Sequence, residues 1–205
     1  MRRFSSGLTL FLFTVAPALR AQEPADTLPF RAHQWAFLFT GGSSFSGIGA
    51  LHFTAPNRAW IFDLGVGANH QSTSSTPIPD TTFTTRSSFI GFNARIGRRL
   101  YQAVRHDIVS FQTVGLLAGL SRQCVTNDFP GVPGGGSSCA TGATAGFYGE
   151  LGGQYFLTPR LSIGGQVTAS LSGSYQHGTG SGGPTNNWLI SVSAGSVSFG
   201  GGIYF

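Results

Sequence analysis

The chain has 205 residues, enough for one ordinary domain and too few for two large ones. Glycine numbers 31, charged residues make up only 9%, hydrophobic residues reach 40%, and lysine is absent. That composition excludes a charged, solvated helical protein and a disordered tail. The net charge of +5 rests on scattered arginines, which argues against a nucleic-acid partner.

The first element is a leader, residues 1–21. Arg2 and Arg3 open it, an apolar run from Leu8 to Ala16 follows, and small residues stand at Ala16, Ala18 and Ala21. The run is too short to span a bilayer as a helix, and the pattern is that of a secretory signal peptide cut after Ala21, with Ala18 as the alternative. Cleavage removes three arginines and no acid, so the charge falls from +5 to +2. Residues 22–32 then form a periplasmic N-terminal segment, and residues 33–205 a single domain.

From Gln22 onward no stretch is apolar enough for a membrane helix. What recurs instead is alternation, the period of a strand with two unlike faces. Eight strands are expected, at 33–41, 45–54, 59–70, 85–97, 107–121, 144–157, 160–175 and 188–205. Trp35, Phe37 and Phe39 form the first apolar phase. Trp60, Phe62, Leu64, Val66 and Ala68 form the third, and Ile90, Phe92, Ala94 and Ile96 the fourth. In the fifth strand Val109 and Phe111 share one phase while Val114, Leu116 and Leu120 share the other, so a β-bulge is expected between them. The sixth alternates through Phe147, Leu151 and Tyr155. The seventh alternates without a fault from Leu161 to Tyr175, far longer than the five or six residues usual in a soluble domain. In the eighth, Trp188, Ile190 and Val192 give way to Val197, Phe199, Ile203 and Phe205, again implying a bulge. His52 is expected inside.

Connections alternate in length. Residues 55–58, 99–106 and 158–159 are brief, whereas 71–84, 122–143 and 176–187 are long and rich in Ser, Thr, Gly and Pro. Short turns on one side and long loops on the other are the pattern of a barrel in an outer membrane. The apolar phase would face lipid and the small polar phase the interior, and closure would pair every strand edge, as lipid demands. The reading is therefore all-β: an antiparallel, up-and-down, eight-stranded transmembrane β-barrel in the bacterial outer membrane. Asp63, Arg95 and Glu150 fall in the polar phase as interior charges. Asp63 and Arg95, on neighbouring strands at similar depth, are expected to pair. Cys124 and Cys139 are the only cysteines. In an exported protein they are expected to form a disulfide across the loop between them.

With these residues in view, the chain resembles the small eight-stranded outer-membrane barrels of the OmpA/OmpX-like superfamily. The likeness is carried by the leader, the alternating strands, the LTPRLSIGG turn at 157–165 and the end VSFGGGIYF. It implies that Phe205 belongs to a terminal signal read by the barrel-assembly machinery. It also implies contact with outer-membrane lipids, and with an extracellular ligand through the loops.

Sites of chemistry are sparse. His70-Gln71-Ser72 has the letters of a His-x-Ser lipid deacylase motif, in which His acts as base and Ser as nucleophile, but the family's fixed neighbours are missing. His52 and His177 have no ligand partner at metal spacing, and GVPGGGSS lacks the lysine and helix of a phosphate loop. No catalytic residue, cofactor or metal site is expected. Arg58, Arg98, Arg99, Arg105 and Arg160 gather at the short turns, within reach of anionic headgroups. Trp35, Trp60, Tyr101, Tyr155, Tyr204 and Phe205 would form an aromatic girdle there. The leading role is structural or surface contact, with a narrow solute channel and a lipid-modifying enzyme as the alternatives.

Overall fold

Strands with one apolar and one small polar face need both a partner for each edge and a medium for the apolar face. The computed structural model meets the first need by closure. It describes residues 28–42, 46–78, 81–105, 107–128, 136–180 and 183–205. The leader and residues 22–27 lie outside the described residues. Eight antiparallel strands follow one another round a closed barrel. They are β1 (Trp35–Gly42), β2 (Gly47–Ala55), β3 (Arg58–Ile78), β4 (Thr81–Arg105), β5 (Ile108–Asp128), β6 (Ser137–Thr158), β7 (Leu161–Gly180) and β8 (Gly183–Tyr204). β1 closes the ring against β8, from Ala36 opposite Tyr204 to Gly42 opposite Ser198.

β1 and β2 have 8 and 9 residues, while β3 to β8 have 20 to 25. The stretches read as long loops at 71–84, 122–143 and 176–187 are therefore mostly strand. Ser74 and Thr84, for instance, are opposed in the β3–β4 ladder. In the described parts of those stretches both faces are mostly small or polar, so no amphipathic period marks them, although the backbone ladder continues.

The expected bulge in β8 is present. Thr168 faces Ser196 and Ser170 faces Ser193, so β8 carries one extra residue there, and Gly195 takes φ +81°. A side chain in that left-handed conformation would be strained. The expected bulge in β5 is absent, because β5 pairs in unbroken register with β6 from Ile108 to Thr126. Val109 and Phe111 change phase for another reason: they point inward, and the bore at that end is itself apolar.

Outside, a belt of apolar side chains surrounds the barrel, including Phe62, Leu64, Leu116, Phe147, Leu151 and Phe199, all exposed. Trp35, Trp60, Tyr155 and Phe205 stand outward near its lower rim. Tyr101 and Tyr204 do not join them. They lie one residue out of phase with Leu100 and Ile203, and both are buried inside.

Candidate functional site: the barrel interior

The end of the bore at the short turns is filled with apolar side chains. Leu38, Leu51, Phe53, Ile61, Val109, Phe111, Phe156 and Tyr204 pack there, with Phe30 among them. Phe30 precedes β1, and its ring meets four others: Phe53 at 4.5 Å, Tyr101 at 4.6 Å, and Phe156 and Tyr204 at 5.5 Å each. Offset and tilted rings at these separations attract beyond the area they bury. The N-terminal segment thus supplies the centre of an aromatic floor. The expectation of a polar interior throughout is corrected here, because eight strands leave a bore that side chains must fill, and at this end hydrocarbon fills it. His52 follows from the same packing. Leu51 and Phe53 turn inward, so His52 sits on the outer face, its ring 4.6 Å from that of Trp35.

Above the floor lies a charged layer. Asp63 and Arg95 are direct cross-strand partners, and Arg95 Nη2 donates to Asp63 Oδ2 at 2.9 Å. Arg95 Nη1 donates to Glu150 Oε1 at 2.8 Å. Arg99 adds a second cation: Nη2 donates to Glu150 Oε2 at 2.9 Å and Nε to Thr113 Oγ1 at 2.9 Å. Gln166 Nε2 donates to Glu150 Oε1 at 3.0 Å. Two guanidinium groups and two carboxylates leave the layer formally neutral, and all four are buried. Such groups tolerate low dielectric only when each is paired and hydrogen-bonded. Aromatic faces add to the enclosure. Phe111 lies 3.9 Å from the Arg99 guanidinium carbon, and Tyr148 lies 4.9 Å from that of Arg95.

Space for the Tyr148 ring comes from two glycines. A Cβ on Gly97 would stand 2.8 Å from Tyr148 Oη, and one on Gly115 2.7 Å from its Cε1. The structure therefore brings Asp63, Arg95 and Glu150 together and adds Arg99, which sequence reasoning put at the turn surface. The signal was present: Arg99 keeps the phase of Arg95, four residues away along one strand. Arg98, in the opposite phase, lies outside, its guanidinium carbon 5.4 Å from the Trp60 ring. Phe30 had no such signal, because it belongs to no strand.

The remaining candidates stand apart. Cys124 and Cys139 are opposite one another in the β5–β6 ladder and are bonded. They tie β5 to β6 near the outer ends of both strands. His70 and Ser72 are exposed on the outer face of β3, away from the charged layer. His177 Nδ1 lies 2.7 Å from Asn186 Oδ1. Among the described residues, no group of three His, Cys, Asp or Glu could hold a metal. Phe205 is exposed, its ring 5.4 Å from that of Phe37.

No protein-family profile matches the sequence, and no curated protein matches it either. Solved structures do match. A major outer membrane protein from Thermus thermophilus is similar over 84% of this chain and 99% of its own, with a TM-score of 0.53 and 11% identity. Acinetobacter baumannii CarO2 matches over 86% of this chain and all of its own, at a TM-score of 0.47 and 11% identity. The Yersinia pestis attachment invasion locus protein Ail matches over 84% and 94%, at 0.38 and 10%. The likeness to the Thermus protein shows a shared fold, that of a small outer-membrane β-barrel.

Proposed function

We propose that this chain is an integral β-barrel of the bacterial outer membrane, non-conducting and non-enzymatic, with a structural or surface-contact role. The observation that carries the reading is the pairing of an apolar outer belt with a bore closed twice, by the Phe30 floor and by the Arg95–Arg99–Glu150–Asp63 layer. The belt calls for hydrocarbon around it, and ring closure satisfies the backbone within that belt. A solute channel would need a continuous wet path, which the floor and the charged layer interrupt. The deacylase reading would need His70 and Ser72 assembled with further catalytic groups, and they lie isolated on the outer wall.

In this reading the short turns face the periplasm, and the strand extensions of β3 to β8 stand on the outer side, available to an extracellular ligand. Outer-membrane lipids cover the belt. Phe205, exposed at the last strand, serves as the terminal signal for the barrel-assembly machinery. The test is gel mobility of the mature chain refolded in detergent. A compact unboiled band that shifts on boiling is expected. A chain that stays soluble without detergent and shows no shift would overturn the membrane assignment and leave a secreted β-sandwich.

A further inference from the structure

The apolar outer wall is interrupted by charge between β3 and β5. Arg98 points outward from β4, its guanidinium carbon 5.4 Å from the Trp60 ring. Its neighbours on the wall are apolar. Ile96 and Leu100, two residues to either side on β4, are exposed, and so are Trp60 and Val114, its cross-strand partners on β3 and β5. A cation that leaves an apolar wall in a bilayer costs free energy unless it reaches water or an anion.

A second cation lies beside it. Arg58 faces Leu100 across the β3–β4 ladder, which makes it the diagonal neighbour of Arg98, about 7–8 Å away. Gln112 faces Leu100 from β5 and is diagonal to Arg98 on the other side. All three side chains are exposed. Among the described residues neither arginine forms an ion pair. Asp63 and Glu150 are buried in the bore, Asp128 ends β5 on the far side of the barrel, and Asp107 stands in the β4–β5 turn. Two cations side by side repel each other unless an anion lies between them. Phosphate oxygens are the anionic group that arginine recognises best.

Beyond the arginines, away from the short turns, the wall is hollowed. Ala94, Ala118 and Ala145 are cross-strand partners in one row over β4, β5 and β6. With Leu64, Ile96 and Phe147 at its sides, this row floors an apolar trough of about 830 Å³. Four residues of β4 separate Arg98 from Ala94, about 13 Å of strand. A ligand that fills both places carries its charge toward the short turns and its hydrocarbon toward the middle of the belt. With the short turns in the periplasm, that is the orientation of an inner-leaflet lipid.

We infer that the β3–β6 wall binds an anionic glycerophospholipid of the inner leaflet. Its phosphate sits between Arg98 and Arg58, with Gln112 as a third donor, and an acyl chain lies in the alanine trough. The inference rests on the outer-membrane reading. A headgroup of net negative charge suits two unpaired cations better than a zwitterionic one, whose own ammonium competes for the phosphate. An outer-leaflet lipid would meet a single cation at the other end of the trough, Arg122, four residues beyond Ala118. A second copy set on this face by a two-fold axis would bring the same arginines against each other.

The experiment uses the mature chain with Trp35→Phe and Trp188→Phe, which leaves Trp60, beside Arg98, as its one tryptophan. The boiling shift of the unmodified chain is checked first, and its absence would overturn the membrane reading itself. The variant is then refolded into phosphatidylcholine vesicles. Phosphatidylglycerol brominated near the headgroup end of its chains is added at a low mole fraction and compared with equally brominated phosphatidylcholine. The expected result is several-fold stronger quenching of Trp60 by phosphatidylglycerol. Arg58→Gln with Arg98→Gln should reduce it to the phosphatidylcholine level. Arg31→Gln with Arg160→Gln removes the same charge from the same end of the barrel and should leave the preference intact, as should Arg122→Gln. Equal quenching by the two lipids would overturn the inference, and so would equal loss in the two double variants, which would leave only net charge. Loss with Arg122→Gln would overturn the choice of leaflet. Relief of quenching by millimolar glycerol phosphate would overturn the lipid source. A Trp60 shielded from both lipids, in a chain that cross-links as a dimer, would give the wall to a second copy instead.

Discussion

Arg99 shows how much one side chain can organise in a closed bore. It is 2% exposed and reaches Thr113 on β5, Glu150 on β6 and, at 3.4 Å, Gln166 on β7. The layer's stability depends on charge balance, and Glu150 is its hub, since it accepts from both arginines and from Gln166. Glu150→Gln keeps the shape but leaves Arg95 and Arg99 to share Asp63. A loss of about 3–5 kcal/mol is expected, read as a lower urea midpoint for the heat-modifiable band. An unchanged midpoint would mean that water screens the layer. Phe30 acts through packing instead. Phe30→Ala removes the ring at the centre of the floor, and about 3–5 kcal/mol of destabilisation is expected, measured in the same titration. By contrast the Arg86–Asp128 pair, at 3.6 Å and half exposed on both sides, is expected to contribute under about 1 kcal/mol.

At the scale of elements, β8 and β5 make an instructive pair. Both sequences change phase partway along. In β8 the cause is an extra residue at a glycine of positive φ. In β5 it is a change in what fills the bore, and alternation alone cannot tell these apart. Gly195→Val is expected to cost about 1–3 kcal/mol through backbone strain and to lower the yield of folded chain. Gly41→Ala, where nothing lies within 4 Å of an added Cβ, should stay within about 0.5 kcal/mol of the parent. Equal effects would show that the bulge does not set the β8 register. The disulfide acts on one hairpin. Its cysteines are 15 residues apart, and for a loop of that size the chain-entropy argument gives about 3 kcal/mol. Reduction should lower the urea midpoint accordingly while leaving the folded band compact. Strand limits were legible wherever one face met lipid, as from Leu161 to Tyr175. They were hidden where both faces are polar, as from Gln71 to Thr76, because no difference between faces remains to be read.

At the scale of the whole molecule, the closed eight-strand ring was legible because lipid imposes a long alternating pattern and a contrast between short and long connections. The interior was legible only in part. Asp63, Arg95 and Glu150 stood out as charges in a polar phase. Arg99, Tyr101 and Tyr204 were drawn toward the surface by their place near the turns, although their phase pointed inward. The floor was not legible, because an apolar bore looks like a phase error when each strand is read alone, and Phe30 lies on no strand. These two closures are the centre of the functional account, and conductance tests them most directly. The refolded mature chain, inserted singly into a planar bilayer under an applied voltage, is expected to give no steady ionic steps. Stable, reproducible open-channel steps from the unmodified chain would contradict the account and establish a continuous path through the charged layer and the aromatic floor.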